Sequence, residues 1–445
     1  TASRDVQFDF REAVEPIYRE LVELSLQQEQ ASTIMRVSDQ EPVVKLNHIS
    51  LALNTLDTLK LAELQNYFGN DCVLTALNRV NINFASMAPQ TAIFSTVVLE
   101  DRVAVIVSIP TQRSTGEQQT LQQFEWIKDQ NNKDVDRATL IATVNKYRRG
   151  LEVVADAITG YDTTLANQLY DWMIRPFEPL LQQHEIQTLI FVQDGIFRSV
   201  PMAPLHDGNT FLVDRYAIAV TPSLNLTNLD RTNHQQLRAL AVGLTQNTTV
   251  NGTRFPALEY VESELQVIQQ ILPRSLKLLN QDFTLDRFEQ VLETESYPII
   301  HIATHGKFSA DADNTFLVTG ASPTQPDQRI TIKVLDNIIR RASARSPVEL
   351  LVLSACQTAT GDDRAALGLA GIAAQAGAKR VLASLWSVND RATTELISQF
   401  YQDVFNGNMT NAQALQAAQK KLIHTDEYTA HPAFWGAFIL IGNWL

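Results

Sequence analysis

Two residues of this chain pair a nucleophilic side chain with a base at a suggestive interval. Cys356 lies in VELLVLSACQTATG and His305 in YPIIHIATHG, 356 − 305 = 51 residues apart. A thiolate attacks carbonyl carbon readily near neutral pH, and an imidazole within reach can take the thiol proton or hold it as an ion pair. A lone cysteine is more often an inert buried hydrophobe. The pair therefore carries more weight than the thiol alone. The other cysteine, Cys72, suggests neither a disulfide framework nor a zinc site by its spacing, and no metal or other cofactor is expected.

Both residues follow apolar runs of strand length, Tyr297–Thr304 and Val348–Ser354. Sites in open α/β sheets lie outside the carboxyl ends of strands. Two parallel strands ending together would bring the thiol and the imidazole to one edge. His301 is the competing base; it shares a strand face with His305 but lies deeper and is read as a core residue. Gly306, directly after His305, would let a substrate backbone come close. A histidine about 50 residues before the cysteine is the spacing seen in caspases, but their QAC[RQG]G signature is not met by SACQT. Aspartate specificity is therefore not expected.

The flanking elements read in order. Residues 1–85 are expected to form a helical segment that could serve as the tail of a helical-repeat array, with REAVEPIYRELVELSLQQ and VKLNHISLALNTLDTLKLAELQNYFG at helical period. TAIFSTVVLEDRVAVIVSIP predicts a hairpin about Glu100-Asp101. Helices are expected from Thr120 to about Thr159, then from Leu165 to Gln183. Short apolar strands alternate with helices thereafter, including a helix over Ala365–Gln375. This alternation predicts an α/β fold: a mostly parallel sheet covered by helices on both faces. Residues 86–445 form the main unit, divided into 86–245, a half without the residue pair, and 246–445, the half that has it.

The 445 residues carry a formal net charge of −13, which disfavours a duplex nucleic-acid partner or an anionic membrane surface. No apolar run reaches membrane-spanning length, and a cytoplasmic location is expected. The sequence opens at Thr1 without methionine. What precedes it, an export signal included, stays open.

Several ordered motifs together resemble the CHAT domain: HIATHG, LSACQTATG, GLAGIAAQAGAKRVLASLWSVNDRAT and HPAFWGAFILIG, with DGIFRSVPMAPLHDG, LYDWMIRPFEP and LKLAELQNYFGNDC upstream. That family belongs to the clan of caspases and separases, is of bacterial origin, and often follows tetratricopeptide repeats. The resemblance covers most of residues 45–445 and implies a caspase-like fold. It maps the family's catalytic pair onto His305 and Cys356, and the oxyanion-binding backbone N–H groups onto Gly306 and Cys356. The implied activity is that of a cysteine endopeptidase acting on protein substrates.

Asp390 in SLWSVNDRAT, or Asp194 in VQDG, could receive a basic side chain and direct cleavage after Arg or Lys. Each also has an ordinary structural explanation, as a helix cap and a turn residue. A regulatory protein acting through the N-terminal helices is a further expected partner. The alternative to an enzyme is a scaffold or signalling module that keeps the fold without turnover.

Overall fold

The structure, a computed structural model, describes residues 10–35, 47–68, 90–112, 118–152, 160–230, 237–308, 314–322, 327–354, 357–358, 377–407 and 409–445. Cys356, Cys72 and the helix expected over Ala365–Gln375 lie outside the described residues.

Two long helices, α1 (Glu15–Met35) and α2 (His48–Phe68), precede the first strand. Strands β1 (Thr91–Val98) and β2 (Val103–Gln112) form the expected hairpin, Val98 pairing with Val103 across Glu100-Asp101. The expected helix from Thr120 is corrected. Residues Gln118–Trp126 are strand β3, paired antiparallel with β2 along its whole length, and helix α3 begins only at Arg137 (Arg137–Glu152). The glutamine-rich run was compatible with helix, but pairing with a buried strand decides it. Alternate residues Phe124 and Trp126 then reach the N-terminal helices, and Trp126 Nε1 donates to Gln30 at 3.1 Å.

The remaining strands of the main sheet are β4 (Thr188–Val192), β5 (Ala217–Val220), β6 (Ala239–Gly243), β9 (Leu276–Leu279), β10 (Ile299–Ala303), β14 (Leu350–Leu353), β16 (Arg380–Ser384) and β17 (Phe438–Gly442). Two short strands, β7 (Thr248–Val250) and β8 (Thr253–Phe255), form a separate hairpin. A small second sheet contains β11 (Gly306–Phe308), β12 (Phe316–Val318), β13 (Arg329–Thr331) and β15 (Gln357–Thr358).

The main sheet runs β3-β2-β1-β4-β5-β17-β16-β14-β10-β6-β9. All its pairs are parallel except β2 with β1, β2 with β3, and β16 with β17. Every residue of β4, β6, β10, β14 and β16 is buried. Alternate residues of a strand face opposite sides, so burial of all of them requires cover on both faces. This is the architecture expected of a caspase-like chain. Strands β1–β5 form one block and β6 onward the other, joined where β17 pairs with β5.

The N-terminal helices are part of this body. Val22, Leu26, Leu56 and Leu59 pack with Val97, Ala104 and Ile106 of the hairpin. Charged side chains reinforce the junction at the end of β4. Arg19 of α1 donates to Asp194 at 2.8 Å and to the Val98 carbonyl at 2.8 Å. Lys60 of α2, itself buried, donates to the Val192 carbonyl at 3.0 Å, and Glu63 accepts from Arg198. Burial alone would raise the pKa of Asp194, but Arg19, Arg198 and Lys60 hold it well below the usual carboxylate range. Burial lowers the pKa of Lys60 to about 8, a fall that Asp194 only partly opposes.

Asp194→Ala would leave these cations buried without their counter-charge and is expected to lower unfolding free energy by about 3–5 kcal/mol in denaturant titration. Because the folded-state pKa of Asp194 is depressed, its contribution is present above the unfolded value and fades as pH falls below about 4. Wild type and variant should therefore converge in stability under acid.

Candidate active site

Strand β10 ends at Ala303, and the chain continues through Thr304 and His305 into β11. Thr304 Oγ1 donates to the Val318 carbonyl at 2.8 Å, and the Val318 N–H returns a bond to the His305 carbonyl at 2.8 Å. These bonds fix the backbone on both sides of the imidazole. Strand β14 lies parallel beside β10, with Ile302 opposite Leu353, and the Ser354 N–H donates to the Ile302 carbonyl at 3.1 Å. Beyond Ser354 the chain is next described at β15, which runs parallel to β11 with Lys307 opposite Gln357. Strands β10 and β14 in the main sheet, and β11 and β15 in the second, therefore run side by side.

His305 is buried, 8% exposed. Its Nε2 lies 2.8 Å from the Pro256 carbonyl and its ring centroid 5.4 Å from that of Phe255. A carbonyl can only accept, so Nε2 carries the proton and the neutral ring presents Nδ1 as its acceptor. Burial lowers the pKa of His305, and the bond to Pro256, which acts the other way, does not restore it. The ring is thus held neutral, with Nδ1 left as an acceptor.

Phe255 ends the β7–β8 hairpin, an element not expected from the sequence, and Pro256 directly follows it. Its turn residues Asn251 and Gly252 have φ of 51° and 77°, the left-handed pair that a two-residue type I′ hairpin requires. The Asn-Gly dipeptide between short β-branched runs was the available signal. Val250 and Phe255 of the hairpin pack with Leu244, Phe316 and Val318 in a small separate core. That core delivers Phe255 and Pro256 to His305. The role of Pro256 has no sequence signal, because any residue supplies a carbonyl.

His301 is the core residue it was expected to be. It is fully buried, with Nε2 2.8 Å from Glu264 Oε1 and Nδ1 3.2 Å from the Tyr401 hydroxyl. These partners belong to helices α7 (Val261–Ile271) and α10 (Asp390–Asn406), numbered with α4 (Thr164–Met173), α5 (Glu178–Gln183), α6 (Leu212–Arg215), α8 (Leu285–Thr294) and α9 (Ile332–Arg345) in chain order.

The two expected pocket acids separate. Asp194 lies just past β4, five steps from β10 in the sheet order, about 24 Å at the usual strand spacing. It is fully buried, and Arg19 and Arg198 already meet its charge. Asp390 lies in the first turn of α10, just past β16. The helix cap is its neighbour Asn389, which accepts from Arg391 and Ala392 N–H groups. Asp390 Oδ2 instead accepts the Tyr260 N–H at 2.6 Å. Tyr260 lies four residues beyond Pro256, so Asp390 and His305 both hold the same segment. Gly306 opens β11 opposite Leu317. Among the described residues no three His, Cys, Asp or Glu side chains gather as a metal site, and no helix is long and apolar enough to cross a membrane.

A family model of the CHAT domain matches residues 163–443. Tetratricopeptide repeat protein 28 of Homo sapiens is 24% identical over 332 residues, covering 62% of this chain and 13% of that protein. Its Mus musculus counterpart is 24% identical over 331 residues with the same coverage. The chain thus spans about 13% of the length of these curated relatives. Among solved structures, the Saccharomyces cerevisiae separase–securin complex aligns with a TM-score of 0.48 at 11% identity, over 96% of this chain and 36% of that one. The Arg specific cysteine proteinase gingipain R aligns with a TM-score of 0.37 at 9% identity, over 69% and 74%.

In a Cys356→Ala chain, which carries no thiol at that position, the His305 imidazole is expected to titrate below the ordinary value of about 6.5 by NMR. Because a base with a depressed folded pKa binds fewer protons folded than unfolded, this group's effect on stability is lost as pH rises above 6.5 only in the sense that its penalty vanishes; stability should fall as pH drops below it.

Proposed function

The chain belongs to the CHAT-domain family, and we propose that it is a cysteine endopeptidase of caspase-like fold with His305 and Cys356 as base and nucleophile. The observation that carries this is strand register. Ile302 pairs with Leu353, an interval of 353 − 302 = 51, and Lys307 pairs with Gln357, an interval of 357 − 307 = 50. The interval from His305 to Cys356 is 51. Pairing before and after Cys356 thus favours the cysteine lying alongside the histidine.

In this mechanism His305 Nδ1 takes the Cys356 thiol proton, and the thiolate attacks the peptide carbonyl carbon. The oxyanion is received by the backbone N–H groups of Gly306 and Cys356. On collapse, His305 gives its proton to the departing amine and the acyl thioester remains. Water, losing a proton to His305, then hydrolyses the thioester and regenerates the thiol. Asp390 is the acid available to a basic side chain before the scissile bond, which supports cleavage after Arg or Lys.

Regulation by a protein partner at the N-terminal helices is supported by an apolar stripe on their outer surface. Val14, Ile17, Leu21 and Leu24 recur at helical spacing, and Ile17 is 67% exposed. The opposite face of α1 is buried on the hairpin. A helix apolar on two faces has more hydrophobic surface than its own domain covers.

Incubation with a proteome-derived peptide library should yield cuts after Arg or Lys that vanish in Cys356→Ala. His305→Ala should reduce kcat/KM by about 10²–10⁴-fold. Cellular function that persists in Cys356→Ala would defeat the peptidase and favour a scaffold. Ile17→Asp with Leu21→Asp is expected to abolish activation by a partner while leaving the melting temperature within about 2 °C, since surface substitutions away from structural features are nearly neutral.

A further inference from the structure

Asp390 is joined to His305 by a short chain of bonds that has nothing to do with substrate. Its Oδ2 accepts the Tyr260 N–H at 2.6 Å, and Thr394, one turn along α10, donates to the Tyr260 carbonyl at 3.5 Å. Four residues earlier in the same segment, the Pro256 carbonyl holds His305 Nε2 and Phe255 lies against the imidazole. The other end of the segment is the β7–β8 hairpin, seated on its own small core. Residues 256–260 are thus clamped between that hairpin and the start of α10.

The helices behind the clamp are tied as well. Tyr260 immediately precedes α7, and α7 and α10 are bridged inside the body by Glu264, His301 and Tyr401. This bridge fixes the start of α10, and so Asp390, with respect to β10. A carboxylate in the first turn of a helix also suits the helix dipole. Asp390 is only half-buried, and burial with neighbouring Glu264 and Glu259 raises its pKa despite the Tyr260 bond. A carboxyl group kept in such a place is accounted for by the backbone bond it makes.

We propose that Asp390 is a positioning residue for His305, fixing Tyr260 and through it the Pro256 carbonyl that sets the tautomer and orientation of the imidazole. This rests on the peptidase function proposed above for His305, but gives Asp390 a duty separate from receiving a basic substrate side chain. The required property is an acceptor oxygen at the right place. A pocket acid requires negative charge.

Two substitutions separate these duties: Asp390→Asn keeps an oxygen acceptor and loses the charge, whereas Asp390→Ala loses both. In the full chain carrying Cys356→Ala, the His305 ring is titrated by NMR, a readout that needs no peptidase activity. Asp390→Asn is expected to leave the midpoint unmoved. Asp390→Ala should move it up toward 6.5, because a loosened segment no longer shields the ring. With Cys356 present, Asp390→Ala should fall about 10- to 100-fold below Asp390→Asn in kcat/KM on Arg and Lys peptides, the scale of a misplaced catalytic group. An unmoved His305 midpoint in Asp390→Ala overturns the positioning role. So does an equal loss of kcat/KM in the two variants. If the midpoint moves as expected but no chain cleaves any peptide, positioning stands and the peptidase assignment falls.

Discussion

The parallel pairing of β10 with β14 is the constraint on which the rest of the candidate site depends. Parallel strands end on the same edge, so two segments far apart in sequence deliver their following loops together. Neither strand could hold that register alone. Both are buried at every position, and sliding one by a residue would turn its whole apolar set against the wrong neighbours. The pairing then continues beyond the main sheet as β11 beside β15, so the register is held on both sides of the loops.

A second layer of organisation surrounds this pair. The imidazole of His305 takes its proton arrangement from a carbonyl, its shielding from a phenyl ring, and its backbone position from β12. Those groups come from two separate stretches of chain, Phe255-Pro256 and β12, and Phe255, Phe316 and Val318 share one small core. Residues 256–260 connect them to α10, where Asp390 accepts the Tyr260 N–H, so the imidazole is supported from outside the strand that carries it.

Five strands away in the sheet, the carboxyl edge of β4 is filled differently. There Asp194 is enclosed by Arg19, Arg198 and Lys60, with Glu63 beside them, and two of these cations arrive from the N-terminal helices. The place where an open sheet would ordinarily receive a ligand is occupied by the protein's own charges. Once buried, these charges cannot be separated cheaply, which makes the helices an integral part of the body.

Much of the architecture could be read from local pattern. Short apolar runs such as TLIFV, IIHIA and LLVL need burial on both faces, and their alternation with amphipathic segments dictates a covered parallel sheet. The hairpin at Glu100-Asp101 and the deep position of His301 were equally legible, because period and strand face are properties of a few adjacent residues. The run QQTLQQFEW was not: its polar residues suit either state, and only the exposed hydrogen-bonding edge of β2 makes it a strand. The position of Asp194 was not legible either, since an acid at a strand end looks the same whether it faces substrate or an arginine 175 residues earlier. Sequence by itself thus determined which segments become buried strands and which residues could do chemistry, through local periodicity and side-chain type. Tertiary structure alone decided strand order, the carbonyl on His305 and the partners of the two aspartates, because those depend on long-range backbone pairing that no side chain encodes.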